Sequence, residues 1–365
     1  MKTAKLAIYT KENVPFEIKE FELTEPKSGY AQVELIASGV CGTDIHIHTG
    51  RLPFKGPMVI GHEFVGKITN ILKEDSEKYG LKEGDNVIVD IAIPCGKCKL
   101  CKEGDDANCV NMNVSNGGNP YEAPHFFGGY GEYNYSPVSN MIKIPEEINP
   151  TAACVFACPG PTAIHAFSLA EKAGCNIEKA ETAIVQGTGP VGSFAIAYFA
   201  AMGIKNVIAL TVNKTEASEK LAKELGATEV IDLNCITEAE LNEHILSMTD
   251  SLGADVVFEA SGNPKAVPTG MSLLRNRGVY MVPGQYSNSG GIEIQPQLIT
   301  FKALHIIGSS QYSMCDVEKY LEFLQKNPKL QDIILSLATC YKIEDVNKAF
   351  DDAKARKNIK TLLVK

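Results

Sequence analysis

The sequence has no excess of positive charge and no long hydrophobic run, and both absences restrict what the protein can bind. Its 365 residues carry 35 lysines and arginines against 44 aspartates and glutamates, a formal charge of −9. This acidic balance argues against nucleic acid or an anionic membrane as a partner. The sequence contains no stretch of about eighteen apolar residues, so we expect no membrane-spanning helix.

Features of exported proteins are also missing. Lys2, Lys5 and Lys11 begin the chain, but the apolar core that a signal peptide requires does not follow them. The 11 cysteines are an odd number, which is unlike a disulfide scaffold. We therefore expect a cytoplasmic, reduced protein whose grouped cysteines bind metal.

The length of the chain and the order of its patterns predict two domains. A chain of 365 residues exceeds the size at which a single core usually divides. Short strand-like segments separated by turn residues fill the first part of the chain. From residue 160 onward the pattern becomes an alternation of strands and helices, which predicts a doubly wound parallel sheet.

Residues 95–109, which we call the cysteine lobe, carry the spacing C-x2-C-x2-C-x7-C. Its thiols belong to Cys95, Cys98, Cys101 and Cys109, and four thiolates complete a closed tetrahedral zinc site of the structural kind. The alternative is an iron–sulfur cluster, but the bacterial ferredoxin pattern has a three-residue last gap followed by proline. Val110 follows here, so we predict a structural zinc site.

A glycine-rich turn joins a predicted strand to a predicted helix at Ala183–Gly192, which reads AIVQGTGPVG. The G-x-G-x-x-G pattern allows a tight turn and brings backbone close to a pyrophosphate at the positive end of a helix. Its context within a βαβ series favours nucleotide binding over a plain glycine-rich turn. The candidate cofactor residues are Gly187, Gly189, Pro190, Val191 and Gly192.

The end of the next predicted strand has no carboxylate to receive the ribose hydroxyls of NAD. Thr211, Asn213 and Lys214 stand there instead and offer hydrogen-bond donors to a 2′-phosphate. We therefore favour NADP over NAD, although no arginine stands at this position.

A third concentration of chemistry lies between Gly39 and Gly66. It contains thiol, imidazole and carboxylate groups, the ligand types that zinc prefers. Cys41, His62 and one further ligand would leave an open position at the metal. Cys154 and Cys158 are both candidates for that further ligand. The ligand-type residues of the stretch are Cys41, Asp44, His46, His48, His62 and Glu63.

Together these motifs resemble the zinc-dependent medium-chain alcohol dehydrogenases across essentially the whole chain. The resemblance rests on C-G-T-D-x-H at Cys41–His46, G-H-E at Gly61–Glu63, the cysteine lobe and the glycine motif. It implies an α/β fold with two domains. A GroES-like, β-rich catalytic domain would comprise residues 1–158 and 307–365, and a central Rossmann nucleotide-binding domain would comprise residues 159–306.

The resemblance also implies two zinc ions per chain and assigns the ligands of the catalytic one. Cys41, His62 and Cys158 match the family's ligands, because Thr162 follows Cys158 at the family's spacing. Cys154 is then expected to be a packed thiol. Glu63 resembles the carboxylate that exchanges into the zinc shell, and Asp44 is similar to the acid that orients His62.

The remaining family roles concern proton transfer and the cofactor. Thr43 and His46 are similar to the relay that carries the hydroxyl proton to solvent. Lys360 resembles a cation at the cofactor pyrophosphate. Gly42 stands at a position where some members of the family carry another cation for the same pyrophosphate. His48 has no family role, and we expect a surface histidine.

The activity implied is hydride transfer between a nicotinamide cofactor and an alcohol or its aldehyde or ketone. Polyol members usually carry glutamate where Cys158 stands, so a simple alcohol is favoured over a sugar, with a polyol dehydrogenase as the alternative. A catalytically silent nucleotide-binding protein on the same scaffold is a further alternative. A homo-oligomer, dimer or tetramer, is expected, and the loop at residues 113–129 is predicted to cover the site or to form an oligomer contact.

Overall fold

A computed structural model describes residues 2–285 and 287–365. The chain divides into two compact units, each built around its own core. The first unit combines Met1–Cys158 with Ser313–Lys365, and the second comprises Pro159–Tyr312.

The first part of the chain forms mostly antiparallel strands with short helices between them. Alternating burial along β3 shows why it is a strand, since one face packs on the core while the other is half-buried, and its last residues are buried on both faces. The strands are β1 (Thr3–Ile8), β2 (Glu17–Glu22), β3 (Tyr30–Val40), β4 (Glu63–Ile71), β5 (Asn86–Val89), β6 (Ala92–Ile93), β7 (Asn113–Val114), β8 (Tyr133–Pro137) and β9 (Met141–Lys143). The helices are α1 (Gly42–His48), α2 (Lys73–Tyr79), α3 (Lys99–Lys102) and α4 (Pro150–Val155).

The second unit is a six-stranded parallel sheet of order β12-β11-β10-β13-β14-β15, the doubly wound arrangement. Its central strand β10 is buried at every residue, as expected of a parallel strand covered by helices on both faces. The strands are β10 (Thr182–Gln186), β11 (Asn206–Thr211), β12 (Glu229–Asp232), β13 (Ala254–Glu259), β14 (Leu274–Val282) and β15 (His305–Gly308). The helices are α5 (Pro159–Lys172), α6 (Pro190–Ala201), α7 (Glu216–Glu224), α8 (Glu238–Met248), α9 (Ala266–Leu273) and α10 (Gln297–Lys302).

The end of the chain returns to the first unit. The last strand pairs antiparallel with β3, which extends the first sheet to the order β16-β17-β3-β4-β5-β9. This pairing places the start of the last strand beside the end of β3, where Cys41 follows. The elements are α11 (Met314–Lys326), α12 (Pro328–Ser336), β16 (Ala338–Lys342), α13 (Val346–Lys354) and β17 (Lys360–Val364).

Two features of the chain's organisation differ from the expectation. The second unit runs to Tyr312, beyond the expected boundary at residue 306, and β15 pairs in parallel with β14 through residues 305–308. The stretch 113–129 is not wholly a surface loop, since Phe126 is fully buried in the first core and His125 stacks on Phe21. None of the helices formed by the described residues has the length and apolar character needed to cross a membrane.

Candidate active site

Cys41 lies at the junction where β3 ends and α1 begins. The Asp44 side chain accepts the Cys41 N–H through Oδ2 at 2.9 Å, which caps the first turn of the helix. The other carboxylate oxygen, Oδ1, lies 3.3 Å from Nδ1 of His62. One fully buried acid therefore fixes the backbone of Cys41 and faces the imidazole of His62.

His62 and Glu63 stand at the start of β4, immediately after Gly61. The φ of Gly61 is +97°, a conformation that favours glycine, and it turns the chain into the strand. Burial alone would lower the pKa of His62, but the Asp44 carboxylate and the Cys41 thiolate outweigh it and raise that pKa well above its usual value. The site thus concentrates negative groups around this imidazole.

Cys158 closes the cluster from the segment between α4 and α5. One ligand atom each from Cys41, His62, Glu63 and Cys158, which we call the mixed-ligand cluster, lies within 4.8 Å of the other three. A hydrogen bond between the two thiols lowers the pKa of Cys41 and raises that of Cys158. The four groups therefore converge on a space of the size of one metal ion.

Glu63 is fully buried and forms an ion pair with Lys360 at the start of β17. Burial raises the pKa of Glu63 to about 7, against the opposing effect of the Lys360 ammonium. Its Oε2 takes part in the ion pair, whereas Oε1 is buried and has no hydrogen-bond partner among the described residues.

This placement bears on the role that the family resemblance gave to Lys360. A cation that contacts the cofactor pyrophosphate has to present its ammonium group to the ligand. Lys360 is only 2% exposed, and its ammonium group forms an ion pair with the Glu63 carboxylate. The structure thus places Lys360 beside the mixed-ligand cluster, with a buried carboxylate as its partner.

The mixed-ligand cluster fits zinc. Two thiols, an imidazole and a carboxylate are zinc donors, and a set of three protein ligands with one exchangeable position is typical of catalytic zinc. The unpartnered Oε1 of Glu63 is a buried acceptor that a cation would satisfy. The Asp44–His62 contact supplies the usual carboxylate partner of a metal-bound histidine.

Of the other residues singled out in the sequence, Thr43 and His46 lie on the helix that follows Cys41, whereas Cys154 and His48 are packed in the interior. Thr43 lies beside the cluster, with Oγ1 3.8 Å from the Cys41 Sγ, and His46 is half-buried on the same helix. Cys154 is fully buried and its thiol donates to the Glu63 carbonyl at 3.4 Å, so it is a packed thiol. The expectation of a surface position for His48 is wrong, because His48 is 5% exposed and bonds the Val14 carbonyl through Nε2.

The cysteine lobe gathers its four sulfurs, again within 4.8 Å of one another, around α3 and a 3-10 turn at Asp106–Asn108. Backbone N–H groups of Lys97 and Cys98 lower the pKa of Cys95 to about 6, while burial raises that of Cys101 to about 12. The N–H of Cys95 also donates to the Cys109 Sγ at 3.2 Å. The lobe therefore fits a closed four-thiolate zinc site.

The glycine motif forms the turn between β10 and α6. Gly187 has φ +95°, and a Cβ there would come within 2.9 Å of the Ser261 Cα. A Cβ on Gly192 would overlap the Gly187 carbonyl, whereas Gly189 faces open space at the first turn of α6 with Pro190 and Val191. Two glycines thus serve packing, and the third leaves room for a ligand at the helix N-terminus.

The side chains after β11 differ in how far they are already engaged in hydrogen bonds and ion pairs. The hydroxyls of Thr211 and Thr188 lie 3.2 Å apart, and Asn213 is exposed with φ +58°. The Lys214 ammonium lies 3.2 Å from the Glu219 carboxylate and donates to the Val230 carbonyl. Lys214 is therefore already engaged, and the exposed Asn213 accepts a hydrogen bond from the Asn234 side chain through Oδ1 at 3.0 Å, so its amide N–H groups remain as donors.

Comparison with known proteins identifies the family. Residues 27–146 match the alcohol dehydrogenase GroES-like domain, and residues 190–326 match the zinc-binding dehydrogenase domain. D-xylulose reductase A of Aspergillus oryzae is 31% identical over 337 residues, which cover 91% of this chain and 88% of that protein. The chain belongs to the zinc-dependent medium-chain dehydrogenase family.

Other members show the same relationship along the whole chain. A 5-exo-hydroxycamphor dehydrogenase of Pseudomonas putida is 28% identical and covers 100% of this chain and 99% of its own. The crystal structure of an alcohol dehydrogenase from Thermotoga maritima has a TM-score of 0.87 and 26% identity, with 100% of both chains covered. The predicted fold class and family are thereby confirmed.

Sequence reasoning missed residues that support the candidate sites of this family member but are not themselves candidate ligands. Glu259, at the end of β13, accepts the N–H groups of Ser261 and Gly262 and holds that loop against Gly187. Gly39 lies so close to the Glu63–Lys360 pair that a Cβ there would overlap Glu63 Oε2. The one available signal in the sequence was an acid or a glycine at a predicted strand end, which no spacing rule singles out.

Proposed function

We propose that the protein is a zinc- and nicotinamide-dependent dehydrogenase that interconverts an alcohol and its carbonyl compound. The observation that carries this proposal is the convergence of Cys41, His62, Glu63 and Cys158 within 4.8 Å. Three of these residues would hold the metal, and the fourth position would be exchangeable. A protein of this fold without catalytic activity would not need to retain these four ligand groups together.

The chemistry divides between the bound groups and the chain. Zinc supplies Lewis-acid polarisation of the substrate oxygen, and the nicotinamide accepts or donates the hydride. The Thr43 hydroxyl would accept a hydrogen bond from the substrate hydroxyl and give up its own proton to the relay as the substrate proton arrives, and His46 would pass a proton on to solvent. Burial and then Arg51 lower the pKa of His46, so that its imidazole is neutral and able to accept a proton at neutral pH.

The cofactor proposed is NADP in preference to NAD. Thr211 and Asn213 provide donors after β11 in place of the carboxylate that would repel a 2′-phosphate. Replacing Thr211 with aspartate should shift the ratio of kcat/KM from NADP toward NAD by about tenfold or more, since one lost or repelled charge contact is worth at least 1.4 kcal/mol. Unchanged cofactor preference in Thr211→Asp would contradict this assignment.

The substrate class proposed is a secondary alcohol or the corresponding ketone. D-xylulose is a ketose, and the hydroxyl of 5-exo-hydroxycamphor stands on a ring carbon, so both relatives are named for chemistry at a secondary centre. One of the two is a sugar and the other a terpene. The assignment is supported by the secondary carbon that both named substrates share, and their polarity differs.

The experiment is a panel of primary alcohols, secondary alcohols and polyols assayed with NAD and NADP in parallel. We expect oxidation of secondary alcohols with the highest kcat/KM for NADP. Zinc-loaded protein that binds NADPH but oxidises nothing in the panel would favour the catalytically silent alternative.

We also propose that the chain forms a homo-oligomer through the second unit. β15 is the outer strand of its sheet, and Ile306 on that strand is 43% exposed. Phe301 on the preceding helix is 80% exposed, so an apolar surface adjoins an open strand edge. Light scattering should give a dimer or tetramer, and Ile306→Lys should lower the assembled fraction; a monomer would contradict the proposal.

A further inference from the structure

Tyr130 lies beside the mixed-ligand cluster, and its hydroxyl group takes no part in the proposed metal binding or proton transfer. The residue is fully buried between Gly129 and Gly131. Its ring packs edge-on against Phe16 and Phe350, with centroid distances of 5.9 Å in each case. These apolar contacts fix the ring but cannot satisfy a hydroxyl.

The backbone around Tyr130 is bonded to the segment that carries His62. The Tyr130 N–H donates to the Ile60 carbonyl at 3.2 Å, and the Gly129 N–H donates to the Gly61 carbonyl at 3.0 Å. A Cβ on Gly61 would lie 2.6 Å from the Tyr130 ring, so the ring fills the space that this glycine leaves. Tyr130 is thus held against the turn that delivers His62 to the cluster.

Two buried oxygen atoms of this region, Tyr130 Oη and Asp44 Oδ1, make no hydrogen bond to the described residues, and the contact of Asp44 Oδ1 with His62 Nδ1 at 3.3 Å is an ion-pair contact only. An unpaired buried hydroxyl or carboxylate oxygen is costly, so such atoms are normally paired. Burial raises the pKa of Tyr130 well above its usual value, and the Asp44 carboxylate is the next largest cause. The phenol is therefore a donor that remains protonated, and the carboxylate acts on it directly.

We propose that Tyr130 is a positioning residue for the metal ligand His62, acting through a hydrogen bond from its hydroxyl to Asp44 Oδ1. Asp44 would then be held at both oxygens, by the Cys41 N–H at Oδ2 and by Tyr130 at Oδ1, which faces His62 Nδ1 at 3.3 Å. The inference rests on the proposed zinc function, because it assigns Tyr130 to the support of a zinc ligand.

The test compares zinc retention in Tyr130→Phe with that in Tyr133→Phe. The first change removes only the hydroxyl that faces Asp44. The second removes a buried tyrosine hydroxyl that donates to Glu34 at 2.7 Å, outside the cluster, and is the matched control. Loss of one zinc per chain to a chelator should be about tenfold faster in Tyr130→Phe, as for other partners of zinc ligands, and unchanged in Tyr133→Phe.

Two further readouts separate positioning from packing. The visible spectrum of cobalt bound in place of the exchangeable zinc should change in Tyr130→Phe, because the His62 ligand is reoriented. In an Asp44→Asn background, adding Tyr130→Phe should give little further loss of zinc, because the hydroxyl acts through the carboxylate.

Normal zinc retention and a normal cobalt spectrum in Tyr130→Phe would overturn the inference, even if its thermal stability fell. Equal zinc loss in the two phenylalanine variants would also overturn it. Failure of the zinc function itself would appear differently, as wild-type protein that holds no exchangeable zinc.

Discussion

The cysteine lobe and the mixed-ligand cluster both bring four ligand atoms within 4.8 Å of one another, but they use different parts of the chain. The lobe takes all of its thiols from residues 95–109, around one short helix and one turn. The mixed-ligand cluster takes its groups from the end of β3, the start of β4 and the segment after α4. A local segment is sufficient for the first, whereas the second needs a folded sheet.

The two sites also differ in the chemistry of their ligands. Four equivalent thiols leave no exchangeable position and suit a structural role. The mixed-ligand cluster adds an imidazole and the carboxylate of Glu63, which forms an ion pair with the buried Lys360 and would have to exchange between this lysine and the metal. The buried Glu63–Lys360 pair therefore distinguishes the mixed-ligand cluster, the proposed catalytic site, from the cysteine lobe, the proposed structural site.

The comparison is tested most severely by removing one thiol from each site. Cys41→Ser should lower turnover on the order of a thousandfold, because several kcal/mol of metal stabilisation would be lost and each 1.36 kcal/mol is tenfold. Nucleotide binding, measured by fluorescence titration, should be retained because the glycine motif lies in the other unit.

Cys98→Ser is the matched control for this loss of turnover. It should make residues 95–109 more susceptible to proteolysis, because structural zinc contributes to folding. It should leave turnover per remaining zinc unchanged. Similar turnover losses in both variants would contradict the division of roles.

The second prediction breaks the buried ion pair. Lys360→Met leaves the Glu63 carboxylate buried without its cation, and removal of one partner of such a pair costs about 3–5 kcal/mol in the free energy of unfolding. Lys365→Met is the control, since Lys365 pairs with Glu34 at a half-exposed position, where an ion pair contributes about 1 kcal/mol or less. Urea unfolding of zinc-loaded protein measures both, and equal effects would show that the buried pair has no special importance.

The third prediction changes a backbone position behind that pair. Gly39→Ala introduces a methyl group that overlaps Glu63 Oε2, and overpacking of this kind costs about 1–3 kcal/mol. Gly42→Ala, three residues along the chain, has open space around it and should be tolerated. Thermal unfolding of the two variants side by side is the measurement, and a neutral Gly39→Ala would show that the pair can move aside.

The smallest effect is expected at the edge of the cysteine lobe. The Asn111 side chain lies 3.9 Å from the Cys95 sulfur, a weak contact, while its backbone N–H donates to the Cys109 sulfur at 3.4 Å. Asn111→Ala keeps the backbone donor, so zinc retention in the lobe should change by less than about threefold, equivalent to well under 1 kcal/mol. A large loss of zinc would mean that the lobe depends on side chains beyond its thiols.

The sequence predicted the fold class correctly because the fold class depends on local patterns, and the ligands of the cysteine lobe are likewise a prediction from local spacing. The spacing of Cys95, Cys98, Cys101 and Cys109 identifies a site without knowledge of the fold. The alternation of strands and helices likewise identifies a parallel sheet, which the six-stranded order of the second unit confirms. These features are encoded by neighbours in the chain.

Features that depend on distant contacts were not predicted. Lys360 lies beside Glu63 only because β17 pairs with β3, and that pairing is invisible in the sequence around either residue. His48 was expected at the surface, but the aromatic rings of Phe16 and Phe350 surround it. The Tyr130–Asp44 juxtaposition is of the same kind, since it needs the segment after Phe126 to pack behind Gly61.

The most direct test of the account is the zinc content of wild-type protein, Cys41→Ser and Cys98→Ser after exhaustive dialysis. We expect two zinc ions per chain in the wild type and one in each variant, with the remaining ion in Cys41→Ser lost when Cys98 is also replaced. A wild type with one zinc ion that Cys41→Ser retains in full would contradict the central claim that the mixed-ligand cluster is a metal site.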